Sequence, residues 1–585
     1  MKKVFIKRKK DLLVEEEIIR KGFSPLMAHI ISSRTNDASA DFHLILRSGL
    51  KDIPHPSLLL NADKGAERIA DAIVNKEAIL SIGDYDCDGQ TGNAVIIKAL
   101  ALFGVDPTLF KPVVGHRLKE GYGITQSLCD RILSMPVKPN LIVTTDCGSS
   151  DEPRIAQLKA HGIDVVVTDH HEVPREGPPA SAYCTINPVQ PGCGYPDKLI
   201  AGCMVAWLTM CMVNIALAKR GVIEKQVLTT LLDYVALGTV ADAVSLLSIT
   251  NRAVIQHGLV LINKKSKPCW SVAFQELNMS DQRMTAQDIA FKIAPRINAR
   301  SRMDDPFIAL QYLISENQIT TREYFTVLDN DNTRRKEIER EMQTLCFAQV
   351  EEFRKEFQHS AVAAHDSFHA GVQGIVASRI TETYGTPSVI LSPASEEGVY
   401  SGSVRTIEGI HIREVLQSIE DENPGTLLQF GGHKGAAGLK IKHEKIDIFR
   451  KLFNREILQR IGTEPLSPLL KTDGELASRG LLSLDTYMSM QMLQPFGNGF
   501  EEPVFHDEFT VQEAKFIGKD NPVHLSLQLI DSTGECYKAV WFSAIEKAGM
   551  PLPVKIGGEV TCGYMLMANT FRNETTLQLM VKEII

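Results

Sequence analysis

The chain has 585 residues, enough for about three or four domains that bury their own cores without cross-links. A hydrophobic share of 44% beside 23% charged residues excludes collagen-like, coiled-coil and wholly disordered chains. A net charge of −8 does not advertise a nucleic-acid binder, although a local basic channel is compatible with an acidic exterior.

Taken in chain order, the basic stretch Met1–Lys10 has no apolar run behind it, so no signal peptide is expected. The first sixty residues read as helical. From Ala78, short β-branched runs end in acidic turns: Ala78–Ile82 before Gly83-Asp-Tyr-Asp-Cys-Asp-Gly89, Leu141–Thr145 before Asp146-Cys-Gly148, and Val165–Thr168 before Asp169-His-His171. Helical stretches, Asn93–Phe103 and Asp151–His161, separate them. This alternation predicts a parallel sheet buried on both faces, with ligands at the carboxyl ends of its strands. Leu199–Ala218 carries no charge and is about long enough to span a bilayer, but Gly202, Thr209 and Asn214 favour a buried core helix. A connector helix is predicted over Asp329–Phe357, where Ile338, Met342, Cys346, Val350, Phe353 and Phe357 recur at helical steps. A second α/β segment, about 360–455, contains two Gly-rich turns, Tyr400–Arg405 and Phe430–Gly435. Past Glu501, period-two runs at His524–Leu529, Tyr537–Phe542 and Thr575–Val581 predict a small β-barrel. Eleven cysteines without a CxxC pair argue against disulfides and zinc knuckles and for a reducing cytoplasm.

The chemistry lies at the strand ends. Asp84, Asp86 and Asp88 alternate along one turn, and carboxylates this close repel one another unless a cation neutralises them. Plain Asx turns would also account for them, whereas an EF-hand is excluded because no Glu stands at the twelfth position. Asp146 reads either as a helix cap or as a ligand. Asp169-His170-His171 brings imidazoles to the same end of the sheet, and Asp242 stands in an apolar context where an unpartnered carboxylate is costly. Oxygen ligands with an occasional imidazole and no thiolate suit manganese or magnesium better than zinc.

Asp-Tyr-Asp-Cys-Asp-Gly, Asp-Cys-Gly, Asp-His-His and Ala-Leu-Gly-Thr-Val-Ala-Asp occur in the order that resembles the DHH phosphoesterase superfamily. Within it, His116–Gly123, Pro295–Asn298, Gly374–Arg379, Ser401–Arg405, Gly431–Gly438 and Leu493–Gly497 resemble the RecJ family of single-stranded-DNA exonucleases. The resemblance implies an α/β architecture: an N-terminal extension over 1–60, a parallel-sheet DHH domain over 61–265, and a helical connector over 266–358. A smaller DHHA1-like α/β domain over 359–460 and an OB-like barrel over 461–585 complete it. It implies two divalent cations, Mn2+ or Mg2+, on Asp86, Asp88, Asp146, His170 and Asp242. Asp84 would orient the first turn, His171 would stand behind the ligands or against the scissile phosphate, and His433 with Gly431 and Gly432 would touch a substrate phosphate. Arg117, Asn298, Arg302, Ser403 and Arg405 would grip DNA.

In the barrel, Phe516, Trp541, Phe542, Tyr564 and Phe571 with Lys515, Lys519 and Arg572 are candidates for holding single strands, the barrel core being the expected place for any one aromatic. The implied activity is 5′-to-3′ hydrolysis of single-stranded DNA to 5′-mononucleotides in recombination and repair. A helicase or single-strand-binding protein is an expected partner, a monomer the expected state, and no membrane is involved. The alternatives are a phosphodiesterase acting on short oligonucleotides or cyclic dinucleotides, and a non-catalytic scaffold. Four positions depart from the family pattern: Ile82 where a His is common, Ser149 after Asp146-Cys-Gly148, and Arg300 and Ser301 after Asn298.

Overall fold

Five short strands rich in Val, Ile and Thr form one parallel sheet, ordered Phe110–Val114, Ile79–Gly83, Leu141–Thr145, Asp164–Thr168 and Cys184–Ile186. The computed structural model describes residues 2–585 except 38, 463–465, 519–521 and 573, and only the backbone of Phe571. Every residue of Ile79–Gly83 and Leu141–Thr145 is buried, as helices on both faces require. Alternate residues of each strand enter different cores. Ile79, Leu141, Val143 and Val166 pack with the helices Cys87–Leu102, Gly202–Lys219 and Leu232–Ala241, while Leu80, Ile82, Ile142 and Val165 meet Gln126–Leu133 and Glu152–Ala160. From Ile79–Gly83 the chain steps to one side, then returns past it to Leu141–Thr145. Strand order reverses there, and such a switch point opens a crevice at the carboxyl ends of the two strands.

The chain divides into two compact units, residues 41–337 with 495–500, and residues 1–40, 338–494 and 501–585. The parallel sheet belongs to the first. There the helix Gly202–Lys219 has the length and hydropathy of a membrane span, yet 78% of it is buried against the other core helices, as the sequence predicted.

The second unit holds a mixed sheet, ordered Gln429–Gly432, Ala436–Lys442, Val399–Arg405, Ser388–Pro393 and Ala361–Ala364. Tyr400–Arg405, expected as a turn, is therefore strand. Its inward residues Tyr400, Gly402 and Val404 are buried and alternate with Ser401, Ser403 and Arg405, a period of two disguised by small residues that also favour turns. The β-rich tail closes into a five-stranded barrel, Phe505–Ile517, His524–Ile530, Cys536–Trp541, Glu574–Ile584 and Glu559–Phe571, the Greek-key order of an OB fold. The N-terminus is not purely helical. Val4–Lys7 forms a strand parallel to Leu469–Thr472 before the helices Leu12–Arg20 and Pro25–Ser32 begin. The long helix runs over Gln318–Phe353, starting well before the expected Asp329.

Candidate metal and phosphate site

Three strand ends and one helix end build the site. Gly83 leads into the Asp84–Asp86 turn, and Asp86 caps the helix Cys87–Leu102, its Oδ1 accepting the amides of Asp88 (3.0 Å) and Gly89 (3.2 Å). Asp88 is 1% exposed, and its carboxylate accepts the Gly202 amide at 2.7 Å and the Cys203 amide at 3.0 Å. These are the first amides of the helix Gly202–Lys219, whose unpaired N–H groups and dipole favour an anion. Asp146 leaves its strand with φ +63°, a left-handed conformation costing a non-glycine residue about 1–3 kcal/mol. Gly202 touches it so closely that an added Cβ would lie 2.7 Å from Asp146 Cβ. Asp242 closes the helix Leu232–Ala241.

His170 joins these acids. Its Nε2 stands 3.1 Å from Asp146 Oδ1, 3.7 Å from Asp242 Oδ2 and 3.8 Å from Asp88 Oδ2. Ligand atoms of Asp88, His170 and Asp242 lie within 4.8 Å of one another, and the same holds for Asp84, Asp86 and Asp146 and for Asp146, His170 and His171. Asp146 is common to the last two groups, and its Oδ1 also faces the His170 of the first. Asp84, expected only to orient the turn, thus stands among the acids themselves.

Burial and its neighbour Asp86 push the Asp84 carboxyl well above the usual carboxylate range, and burial with Asp88 does the same to Asp146. Burial and the same neighbouring acids raise Asp242 to about 8, and burial pushes His170 down. Asp146 Oδ1 and His170 Nε2 are both buried without a hydrogen-bond partner. Orphaned buried polar atoms are rare in native folds, and crowded carboxylates are relieved by a cation. Cys87 and Cys203 are close by, but burial pushes their thiols up and leaves them protonated. The donor set is carboxylate and imidazole only, which fits hard divalent ions such as Mn2+ or Mg2+.

Behind this cluster, two residues without an assigned role in the sequence hold His171. The Asp169 carboxylate accepts the amides of Ser149 (2.9 Å), His170 (2.7 Å) and His171 (3.2 Å) and pairs with His171 Nδ1 at 2.9 Å. Burial opposes its charge, but these partners hold Asp169 well below the usual range. Burial likewise opposes a charged His171, and the bond to Asp169 outweighs it, raising the ring to about 9. The Tyr122 hydroxyl lies 2.9 Å from the same Nδ1 and donates to the Asp146 carbonyl at 3.2 Å. Both residues sit inside motifs visible in the sequence, Asp-His-His and His116–Gly123, and what was missing was their direction. Ser149 is explained as well: its Oγ accepts Asn187 Nδ2, which also donates to the His171 carbonyl, each at 2.9 Å.

Asn298 Oδ1 accepts the Cys87 amide at 2.8 Å, so it braces the Asp86 turn. Arg117 lies 4.8 Å over the Tyr85 ring, and Arg302 nearby is half-buried, its guanidinium lowered to about 9 by burial and by Arg117. Arg300 and Ser301 do not disturb the backbone, which is regular helix from Ala294 to Met303. Arg300 bonds Asp331 (2.9 Å) and the Asp305 carbonyl (2.7 Å). Ile82 is buried with Ile142 and Val167 in the core on one face of the sheet.

The remaining predicted residues assemble in the second unit. Strand register places Arg405 opposite Ala436, Ser403 opposite Gly438, and Gly438 opposite Gly431. Arg405 Nη1 donates to Ser403 Oγ at 3.1 Å. Gly432 has φ +145°, and a Cβ there would lie 2.4 Å from the Ala436 carbonyl, so the hairpin that exposes Gly431, Gly432 and His433 needs glycine. In the barrel, Tyr564 is core, donating from full burial to Asp507 at 2.6 Å. Trp541 is half-buried, whereas Phe516 and Phe542 are exposed, and Phe542 lies edge-on to His524. Lys515 and Arg572 are exposed too; Lys519 and the Phe571 side chain lie outside the described residues.

Comparison with known proteins follows the same division. The DHH family N-terminal domain matches residues 78–239, the DHHA1 domain 355–459 and the RecJ OB domain 472–583. The chain is 34% identical over 541 residues to the single-stranded-DNA-specific exonuclease RecJ of Haemophilus influenzae, covering 91% of this chain and 92% of that one. It is 32% identical over 577 residues to the protein of the same name from Escherichia coli, covering 96% of each. Among solved structures, RecJ from Thermus thermophilus in complex with Mn2+ shares the fold, with a TM-score of 0.78 at 24% identity over 99% of this chain and 79% of that chain. With three domain matches in register and such identity along nearly its whole length, the chain belongs to the RecJ family.

Proposed function

We propose that this protein hydrolyses single-stranded DNA from the 5′ end, releasing 5′-mononucleotides, with two divalent cations held by Asp84, Asp86, Asp88, Asp146, His170 and Asp242. One observation carries the reading: carboxylates from two strand ends and one helix end converge with His170 around Asp146, whose Oδ1 is buried 3.1 Å from His170 Nε2 and accepts no hydrogen bond. Bound cations would supply an activated water and neutralise the oxygen that leaves. The chain's own residues do the rest. The Gly202 and Cys203 amides fix the Asp88 carboxylate, and Asn298 fixes the turn behind Asp86. His171 has its Nδ1 taken by Asp169 and Tyr122, so a charged ring would donate from Nε2 to a phosphate oxygen. Arg117 and Arg302 supply positive charge beside the acidic turn, suited to the flanking phosphates. On the second unit Gly431, Gly432, His433, Ser403 and Arg405 present amides, an imidazole and a guanidinium suited to a phosphate. The barrel, with Phe516 and Phe542 exposed, suits a single strand and disfavours a substrate confined to dinucleotides. Filled ligand positions disfavour a non-catalytic scaffold.

We place the enzyme in DNA recombination and repair, in a reducing cytoplasm in keeping with its eleven free cysteines, acting as a monomer beside a helicase or single-strand-binding protein. Release of label from the 5′ end of a single strand, dependent on Mn2+, tests polarity, substrate and catalysis together. Asp146→Ala should abolish release and retain strand binding; full activity in that variant would remove the site assignment.

A further inference from the structure

Asp242 hangs on a turn that a distant part of the chain holds. The residue after it, Ala243, is left-handed (φ +54°), a conformation that alanine does not favour by itself. Residues 495–500 pack within the first unit although the residues on either side of them belong to the second. In this segment Asn498 grips both ends of the turn: its Nδ2 donates to the Ala243 carbonyl at 2.6 Å, and its own carbonyl accepts the Leu246 amide at 2.8 Å. Fully buried Arg252 donates to the carbonyls of Leu246 (3.3 Å) and Pro495 (3.1 Å) and lies 5.1 Å over the Phe500 ring. Gly499 sits so near Ser245 that an added Cβ would come within 2.6 Å of its Oγ.

We propose that Pro495–Phe500 is a clasp that positions Asp242, and that Asn498 is its positioning residue. This rests on the reading of Asp242 as a cation ligand. Asn498 bonds the carbonyl one residue beyond Asp242, so it acts on that carboxylate through the backbone. A loosened turn lets Ala243 relax out of its left-handed conformation and carries the carboxylate away from Asp88 and His170.

The test uses the full-length chain carrying Asn498→Ala. The Asn498 side chain is exposed, so its truncation leaves no buried void. Mn2+ binding is measured by calorimetry and by loss of the free-ion electron-spin signal, without DNA, and amide exchange is followed over residues 242–247. Loss of one hydrogen bond predicts roughly three- to tenfold weaker binding of one Mn2+ and faster exchange across the turn. The Mn2+ concentration giving half-maximal cleavage should rise by the same factor, with kcat at saturating Mn2+ and the melting temperature close to those of the unaltered chain. A merely structural role would lower the melting temperature and leave the Mn2+ midpoint in place, which overturns the clasp. Unchanged Mn2+ affinity and exchange overturn it too, while the reading of the acids stands if the unaltered chain binds Mn2+. If the unaltered chain binds none, that reading falls and takes the clasp with it.

Discussion

Replacing Gly202 with alanine tests how tightly the two halves of the acid cluster are fitted together. A methyl group there would stand 2.7 Å from Asp146 Cβ and 2.9 Å from both its Cα and its Oδ1. Carbon atoms at rest are about 3.5–4.0 Å apart, so the helix start or the Asp146 backbone must retreat by roughly 1 Å. The first choice pulls the Gly202 and Cys203 amides off Asp88, and the second displaces Asp146 from His170. Overpacking of this kind costs about 1–3 kcal/mol, or a few degrees in melting temperature for a unit of this size. Misplacing catalytic groups by about 1 Å costs on the order of a hundredfold in rate. The expected variant is therefore folded, binds single strands through its barrel, and cleaves 5′-labelled DNA about a hundredfold more slowly at saturating Mn2+. Gly194→Ala is the control, since the nearest atom to its added methyl is 3.7 Å away. Cleavage by Gly202→Ala within twofold of the unaltered chain, with unchanged Mn2+ binding, would refute the idea that this contact sets the cluster.

Tyr122→Phe removes the hydroxyl shared by His171 and the Asp146 carbonyl, worth about 0.5–1.5 kcal/mol. It should lower kcat about two- to tenfold at constant KM, and an unchanged kcat counts against the positioning of His171. Mn2+ at a hundred times its dissociation constant should add about 2.7 kcal/mol of stability per site, seen as a rise in melting temperature that Asp146→Ala loses; no rise speaks against a cation site. Phe542→Ala should weaken single-strand binding by about 1–3 kcal/mol and leave dinucleotide cleavage intact. Tyr564→Phe, by contrast, removes the bond to buried Asp507 and should lower the melting temperature of the barrel; equal effects of the two variants on strand binding would contradict the core placement of Tyr564.

The parts legible in the linear text are those with a local cause. Runs such as Leu141–Thr145 are buried strands because continuous β-branched residues suit a sheet covered on both faces, and acidic turns after them mark where ligands gather. The barrel strands show their period of two, and Asp86 and Asp88 announce a charge problem that needs a cation. Where several causes compete, the text misleads. Ser and Gly in Ser401–Arg405 are turn formers that here lie within a sheet, and Tyr564 looks as suited to stacking as Phe542.

Residue types and their spacing singled out the acidic turn and the adjacent histidines, because repulsion between nearby carboxylates acts over one turn of chain, whereas the full ligand set, with Asp146 and Asp242 in it, was implied by the resemblance to the RecJ family. Their partners were decided only by folding: Gly202 against Asp146, Asn298 on the Cys87 amide, Asn498 on the turn after Asp242. Each of these joins positions far apart in the chain through a single close contact or hydrogen bond, and neither leaves a periodic or compositional trace. Such contacts exist only once burial has brought the elements together, which is why the tertiary structure alone reveals them.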